Sequence, residues 1–187
     1  MAALTGIRVE HLGPNRSGKT LLNAIFAWLA YNQGRAVYCT CPEDEGRFDC
    51  ILNFPHRHFD VSRPMEQDIY NCYLMTDESV EFLDARGSMK KTTKDFGYFG
   101  YQVLKRDIEW HYDTVLHENI DRRIRLSPEY QIKTERVPRD VQKSLVAVRI
   151  SISSRWNVGA RTMLLTEPWR FFPLYNDWVR VTPMEAV

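Results

Sequence analysis

Residues 13–20, Gly-Pro-Asn-Arg-Ser-Gly-Lys-Thr, constrain this chain more than any other stretch, because they meet G-x-x-x-x-G-K-[ST] at every fixed position. The flanks suit the motif. Ile7 to Leu12 alternates apolar and polar residues as a short strand does, and Thr20 to Tyr31 has the length and apolar content of a buried helix. A strand, a glycine-rich turn and a helix N-terminus aim successive backbone N–H groups at phosphate oxygens. The residues assigned to that cradle are Gly13, Pro14, Asn15, Arg16, Ser17, Gly18, Lys19 and Thr20. Gly13 and Gly18 let backbone approach phosphate closely, Lys19 neutralises the β and γ oxygens, and the Thr20 hydroxyl completes a magnesium shell. The rival, a chance glycine turn capping a helix, does not explain four fixed positions with the correct flanks. The stretch implies a nucleoside triphosphate, with ATP and Mg2+ as the expected cofactors.

A second half-site is expected further on. Ile69 to Thr76 reads as a strand that runs into Asp77-Glu78. At the carboxyl end of a buried strand, the first carboxylate of such a pair holds the metal shell and the second acts as general base on water. A rival, Val80 to Asp84, also ends in an aspartate but lacks the second carboxylate. The plain alternative is that Asp77 caps a following helix.

Between and beyond these motifs the pattern alternates strands with helices. Arg35 to Cys41 reads as a strand stopped by Pro42, and an acidic loop follows at Glu43 to Gly46. Asn53 to Phe59 has no period, which places His56 and His58 in a loop or on the surface. A helix carrying Phe96, Phe99, Tyr101 and Leu104 ends near Lys105-Arg106, and Ile108 to Thr114 is the next strand. Tyr130 to Val137 and Leu145 to Ser153 alternate as strands. From Trp156 onward prolines and aromatics mix without a period, and Phe171 to Tyr175 is expected to pack on the sheet. The whole predicts an α/β, three-layer domain over residues 1–187, with a core at 5–126 and a β-rich C-terminal part.

Composition narrows the function classes. A net charge of +1 confines any nucleic-acid contact to a local patch. The longest apolar run, Ile25 to Tyr31, is too short to span a membrane, and the N-terminus lacks the pattern of a secretory leader, so a cytoplasmic location is expected. Cys39 and Cys41, on one face of a strand, suit buried thiols in a reducing compartment. With His56 and His58 they match no usual zinc spacing.

Several segments in order resemble a known group. Gly13–Thr20, Asp77-Glu78, Asp84-Ala85-Arg86, Gln102 with Lys105-Arg106, and Asp121-Arg122-Arg123-Ile124-Arg125 resemble the FtsK–HerA superfamily of P-loop ATPases and its zonula-occludens-toxin-like (Zot-like) phage branch. Phe172 to Tyr175 looks like that group's tail, where an aromatic strand enters a turn. The resemblance implies an additional-strand, RecA-like core in which the acidic-pair strand lies between the P-loop strand and its neighbour. It implies a ring of like subunits, commonly a hexamer, that packages, pumps or extrudes DNA without regard to sequence. A viral capsid or a membrane-anchored morphogenesis protein is the further partner implied. Arg122, Arg123 or Arg125 would then act on a neighbour's nucleotide, and Lys90, Lys91 and Lys94 would face DNA in the channel. Each has a plainer reading as solvated surface charge. One departure stands out: the group places Thr-Gln where this chain has Thr114-Val115, and a valine side chain makes no hydrogen bond.

Three functions remain open on the residues: a DNA motor with Lys19 and Glu78 in catalysis and Thr20 and Asp77 on the metal, a nucleotide-binding assembly switch with weak hydrolysis, and a small-molecule kinase.

Overall fold

The computed structural model describes residues 6–40, 50–87, 89–140, 142–156 and 159–176. The order of elements is β1 (Ile7–Leu12), α1 (Lys19–Asn32), β2 (Ala36–Cys39), β3 (Arg57–His58), β4 (Cys72–Thr76), α2 (Val80–Leu83), α3 (Lys91–Lys105), β5 (Ile108–Thr114), α4 (Arg122–Arg125), β6 (Tyr130–Val137), β7 (Ala147–Ser154) and β8 (Ala160–Thr166). All eight strands form one sheet in the order β3-β2-β4-β5-β1-β6-β7-β8. The pairings from β3 through β6 are parallel, and β6-β7 and β7-β8 are antiparallel.

Helices cover both faces, which gives the three-layer α/β fold expected. On one face Ala24, Ala27 and Ala30 of α1 pack against Val37, Cys39, Tyr73 and Met75. Their small side chains let the helix lie close to the sheet, while Leu21 and Leu22 reach Val9, Ile132 and Val148. On the other face Phe96, Phe99 and Val103 of α3, all fully buried, pack with Leu74, Ile108, Trp110 and Tyr112. Each such side chain contributes about 1.5–3 kcal/mol relative to staying exposed. Ile124 of α4 joins this second core.

The strands beside β1 are β5 and β6, which corrects the expectation that the acidic-pair strand would lie there. β5 interposes between β1 and β4. Its residues are buried on both faces along nearly the whole strand, and a central parallel strand must be covered on both sides. β4 takes the next position outward.

Polar chains cross the interior between layers. Arg8 of β1 pairs with Glu129 (2.7 Å) and donates to the Gly100 carbonyl of α3. Glu10, fully buried, accepts from Gln131 and meets His117 Nδ1. On the α1 side Arg35 pairs with Glu109, Glu109 meets His111 Nε2 (3.0 Å), and His111 Nδ1 meets His11 Nε2 (2.8 Å). A carboxylate only accepts, so His111 carries its proton on Nε2 and His11 Nε2 donates to it. Burial holds both imidazoles below their ordinary range, so they are neutral.

Three further expectations change. Arg57–His58 forms an edge strand, and His58 is half-buried rather than in a loop. Ala160–Thr166 is a strand within the tail that showed no period. It is exposed along almost its whole length, and an edge strand with no buried face carries no alternation. The segment Pro168–Leu174 is a 3-10 helix rather than an aromatic strand, with prolines at both ends that cannot donate to a ladder. Its Phe171 and Tyr175 do pack against the sheet core, and Tyr175 bridges to Leu52. Cys39 is a buried thiol, as expected, and so is Cys72, pushed up to about 12 by burial; Cys50 is disulfide-bonded. Cys41 and the acidic loop at Glu43 to Gly46 lie outside the described residues. Among the described residues no helix is long and apolar enough to cross a membrane.

Candidate functional site

The loop from Gly13 to Gly18 links the carboxyl end of β1 to α1, where β5 also ends and beside which β6 runs on. Its shape is held from several sides. Gly18 has φ 95°, a left-handed conformation that glycine adopts readily, and a Cβ there would lie 2.9 Å from Val148 Cγ2. A Cβ on Gly13 would lie 2.6 Å from both Ser17 Oγ and the Thr134 carbonyl. Ser17, 1% exposed, shares a hydroxyl–hydroxyl bond of 2.8 Å with Thr134 of β6. The loop is thereby pinned to the sheet. The Ser17 N–H donates to the Pro14 carbonyl (3.2 Å), closing the turn around Asn15 and Arg16. No side chain caps α1, and its first turn holds no acidic residue, which leaves the positive helix end available to an anion.

Lys19 is buried and donates from Nζ to the Gly13 and Pro14 carbonyls at 2.9 and 3.2 Å. Burial lowers its pKa, opposed by the charges of Asp113, Asp77 and Glu78. Thr20 Oγ1 donates to Asp77 Oδ1 at 3.1 Å, so the hydroxyl of the P-loop and the first carboxylate of the acidic pair meet although 57 residues separate them. These are hard oxygen donors, the chemistry Mg2+ takes. Asp77 is pushed up to about 6 by burial and by Glu78, against the pull of the Thr20 hydroxyl and Lys19. Glu78 is exposed and sits at φ 46°, a conformation uncommon for a residue with a side chain. The turn behind it is fixed by Thr76, whose hydroxyl takes the Trp110 indole N–H (3.1 Å) and bonds Ser79 Oγ (3.0 Å).

The rival carboxylate, Asp84, is elsewhere: its oxygens take the Arg86 backbone and guanidinium N–H groups. Thr114 spends its hydroxyl proton on the Leu116 carbonyl (2.9 Å), and Val115 is 42% exposed. Asp113 is the acidic residue at this site that the sequence reading missed. It is 5% exposed, its Oδ1 accepts the Ser79 N–H at 3.4 Å, and it is the foremost acidic influence on Lys19. Burial holds its carboxyl well above the usual range, with Asp77 adding to the effect. Nothing in the run Ile-Glu-Trp-His-Tyr-Asp-Thr signals this. The position matters only because β5 ends between the P-loop strand and the acidic-pair strand.

The arginines are not part of this cluster within one chain. Arg122, Arg123 and Arg125 lie on α4, whose Ile124 packs into the core under α3, on the face of the sheet opposite α1. The Arg123 guanidinium is taken by Asp121 at 2.9 and 3.1 Å.

No family model and no curated protein sequence matches the chain. Solved structures do. The N-terminal domain of zonular occludens toxin from Neisseria meningitidis superposes with a TM-score of 0.63 at 12% identity, over 92% of this chain and 100% of that one. The genome packaging NTPase B204 of Sulfolobus turreted icosahedral virus 2, in complex with ATP-gammaS, gives 0.55 at 10% identity, over 87% and 98%. The pCW3 conjugation coupling protein TcpA, monomer form with ATPgS, gives 0.55 at 12%, over 93% and 66%. The chain has the fold of the P-loop ATPases, and within that class it is similar in structure to the Zot domain and the viral packaging ATPase.

Proposed function

We propose that the chain is a magnesium-dependent ATPase that works as a motor subunit on DNA, in packaging, translocation or extrusion of a viral or mobile-element genome. The observation that carries the reading is the 3.1 Å approach of Thr20 to Asp77 with Glu78 beside it, on a pinned P-loop. Structural neighbours named as a genome packaging NTPase and a conjugation coupling protein support the DNA-handling part.

In this reading the loop amides and the α1 N-terminus bind the phosphates, and Lys19 moves from the Gly13 and Pro14 carbonyls onto the β and γ oxygens. Thr20 and Asp77 hold the metal, whose chemistry when bound is to neutralise charge on the transferred phosphoryl group. The Glu78 carboxylate takes a proton from the attacking water as its oxygen bonds the γ-phosphorus and the bond to the leaving ADP oxygen breaks. Asp113 is a positioning residue: its carboxyl accepts the Ser79 N–H just after Glu78 and lies close to Lys19. Arg122, Arg123 and Arg125, on the helix whose Ile124 packs on the sheet face opposite α1, act on a neighbouring subunit's nucleotide in a ring, a hexamer by resemblance. A capsid or membrane-anchored morphogenesis protein completes the assembly.

A second reading, an ATP-binding switch with weak turnover, is favoured by Thr114, whose hydroxyl proton goes to Leu116, and Val115, whose side chain has no donor. Phosphate release with and without DNA, for wild type, Glu78→Gln and Asp113→Asn, separates the two. The motor reading expects DNA to raise the rate, Glu78→Gln to abolish it with ATP still bound, and Asp113→Asn to lower kcat about tenfold or more while KM changes little. Tight ATP binding with no turnover in wild type, even with DNA, selects the switch.

A further inference from the structure

The outer face of α3 carries a pattern the nucleotide site does not use. Lys91, Lys94, Tyr98, Tyr101 and Lys105 recur at spacings of three and four residues, which places them in one stripe along the helix. The opposite face, with Thr93, Phe96, Phe99 and Val103, is the buried one. Along 15 residues the helix is about 22 Å long, so the stripe is an extended track.

Lysines on an exposed helix face are ordinary. Two tyrosines in the middle of the stripe, 63% and 58% exposed, are not explained by packing. Each ring is bracketed by cations. Lys94 and Lys105 lie one turn beyond the pair on either side. Arg123 passes beneath, its chain lying against Gly97, where a Cβ would be 3.3 Å from Arg123 Cδ. Its guanidinium is held by Asp121. Arg122 and Arg125 continue the positive charge along α4. The one acidic residue of α3, Asp95, lies a quarter-turn off the stripe.

We propose that this face binds single-stranded DNA, with bases stacked on Tyr98 and Tyr101 and phosphates on Lys91, Lys94 and Lys105. The inference rests on the DNA-handling reading above and assigns to it a strand type and a surface. The chemistry selects the single strand. Aromatic faces bind unpaired bases regardless of sequence, and interleaved cations track the backbone. In a duplex the bases are stacked on each other and present only edges and phosphates, so the exposed rings would have nothing to stack on. Local charge suits a chain whose net charge is +1, because the cations are gathered on one helix face rather than spread.

The test uses the full chain and fluorescence anisotropy with a labelled oligothymidylate and with a duplex of equal length. Wild type is expected to bind the single strand more tightly. Tyr98→Ala with Tyr101→Ala should weaken single-strand binding by about tenfold or more and leave duplex binding unchanged. Tyr98→Phe with Tyr101→Phe, which keeps the ring faces, should stay within about twofold of wild type. Lys91→Ala with Lys94→Ala should weaken both ligands and flatten the salt dependence, by about 0.7 in log–log slope per lost phosphate contact on the single strand. Equal or tighter binding of duplex by wild type overturns the inference, as does an alanine pair that leaves single-strand binding intact. An alanine pair that changes the oligomeric state, with DNA affinity lost only in step, makes the face a protein contact and also overturns it. Nucleotide affinity is titrated on the same samples. A wild type that binds nucleotide but no single strand refutes this inference and leaves the ATPase reading standing. Single-strand binding through the tyrosines without nucleotide binding does the reverse.

Discussion

The bond between Ser17 and Thr134 gives the sharpest test of how the phosphate loop is held. Both hydroxyls are buried, at 1% and 3% residue exposure, and they lie 2.8 Å apart. Ser17→Ala leaves the Thr134 hydroxyl without a partner, and Thr134→Val, which keeps the side-chain shape, does the same to Ser17. A buried hydroxyl left unpaired costs about 1–3 kcal/mol, whereas removing both partners together is nearly neutral. Each single variant should therefore lose about 1–3 kcal/mol, and the double variant should return most of one loss rather than add a second. With the double variant near wild type, the coupling approaches the sum of the two single losses, about 2–6 kcal/mol. For a chain of this size each kcal/mol moves the melting temperature by about 2–4 °C, so thermal unfolding resolves it. Urea unfolding gives the same cycle independently. ATP affinity, measured in parallel, should fall in all three variants because the loop is no longer tied to β6. Additive losses, with the double variant carrying the sum of the singles, would refute the reasoning.

Gly18→Ala should destabilise the chain by about 1–2 kcal/mol from the left-handed backbone alone, with more from the Cβ pressed on Val148. Calorimetry with and without ATP checks this, and Val148→Ala in the same chain should relieve only the second part. His11 and His111 are held neutral, so their folded pKa values lie below the free value of about 6.5. As pH falls through that value the unfolded chain takes up protons that the folded chain refuses, and stability drops. Urea midpoints on either side of that pH should show the drop, reduced in His11→Gln, which keeps a donor toward His111 but does not titrate. Asp121 caps α4 by accepting the Arg123 N–H, so Asp121→Ala should cost about 0.5–2 kcal/mol, read by thermal unfolding.

What was legible in the sequence is what depends on local pattern. The strands at Ile7–Leu12, Ile108–Thr114 and Tyr130–Val137 were expected with the bounds they have, because each is long enough to show its period or its burial. The loop from Gly13 to Thr20 was legible because a cradle of backbone amides needs glycine and lysine at fixed positions within one short segment. The edge strands Arg57–His58 and Ala160–Thr166 were not, since one has too few residues and the other too little buried surface to bias side-chain choice.

The rest was decided by which strand lies beside which. Placing β5 rather than β4 next to β1 makes Asp113, an unremarkable aspartate in the sequence, a buried neighbour of Lys19 and the Glu78 turn. It also brings Thr20 to Asp77 and leaves Asp84 to Arg86. Strand order follows from long-range burial on two faces, a property of the assembled sheet. Motif spacing therefore points to a ligand class, while only the tertiary structure decides which carboxylates lie beside the loop.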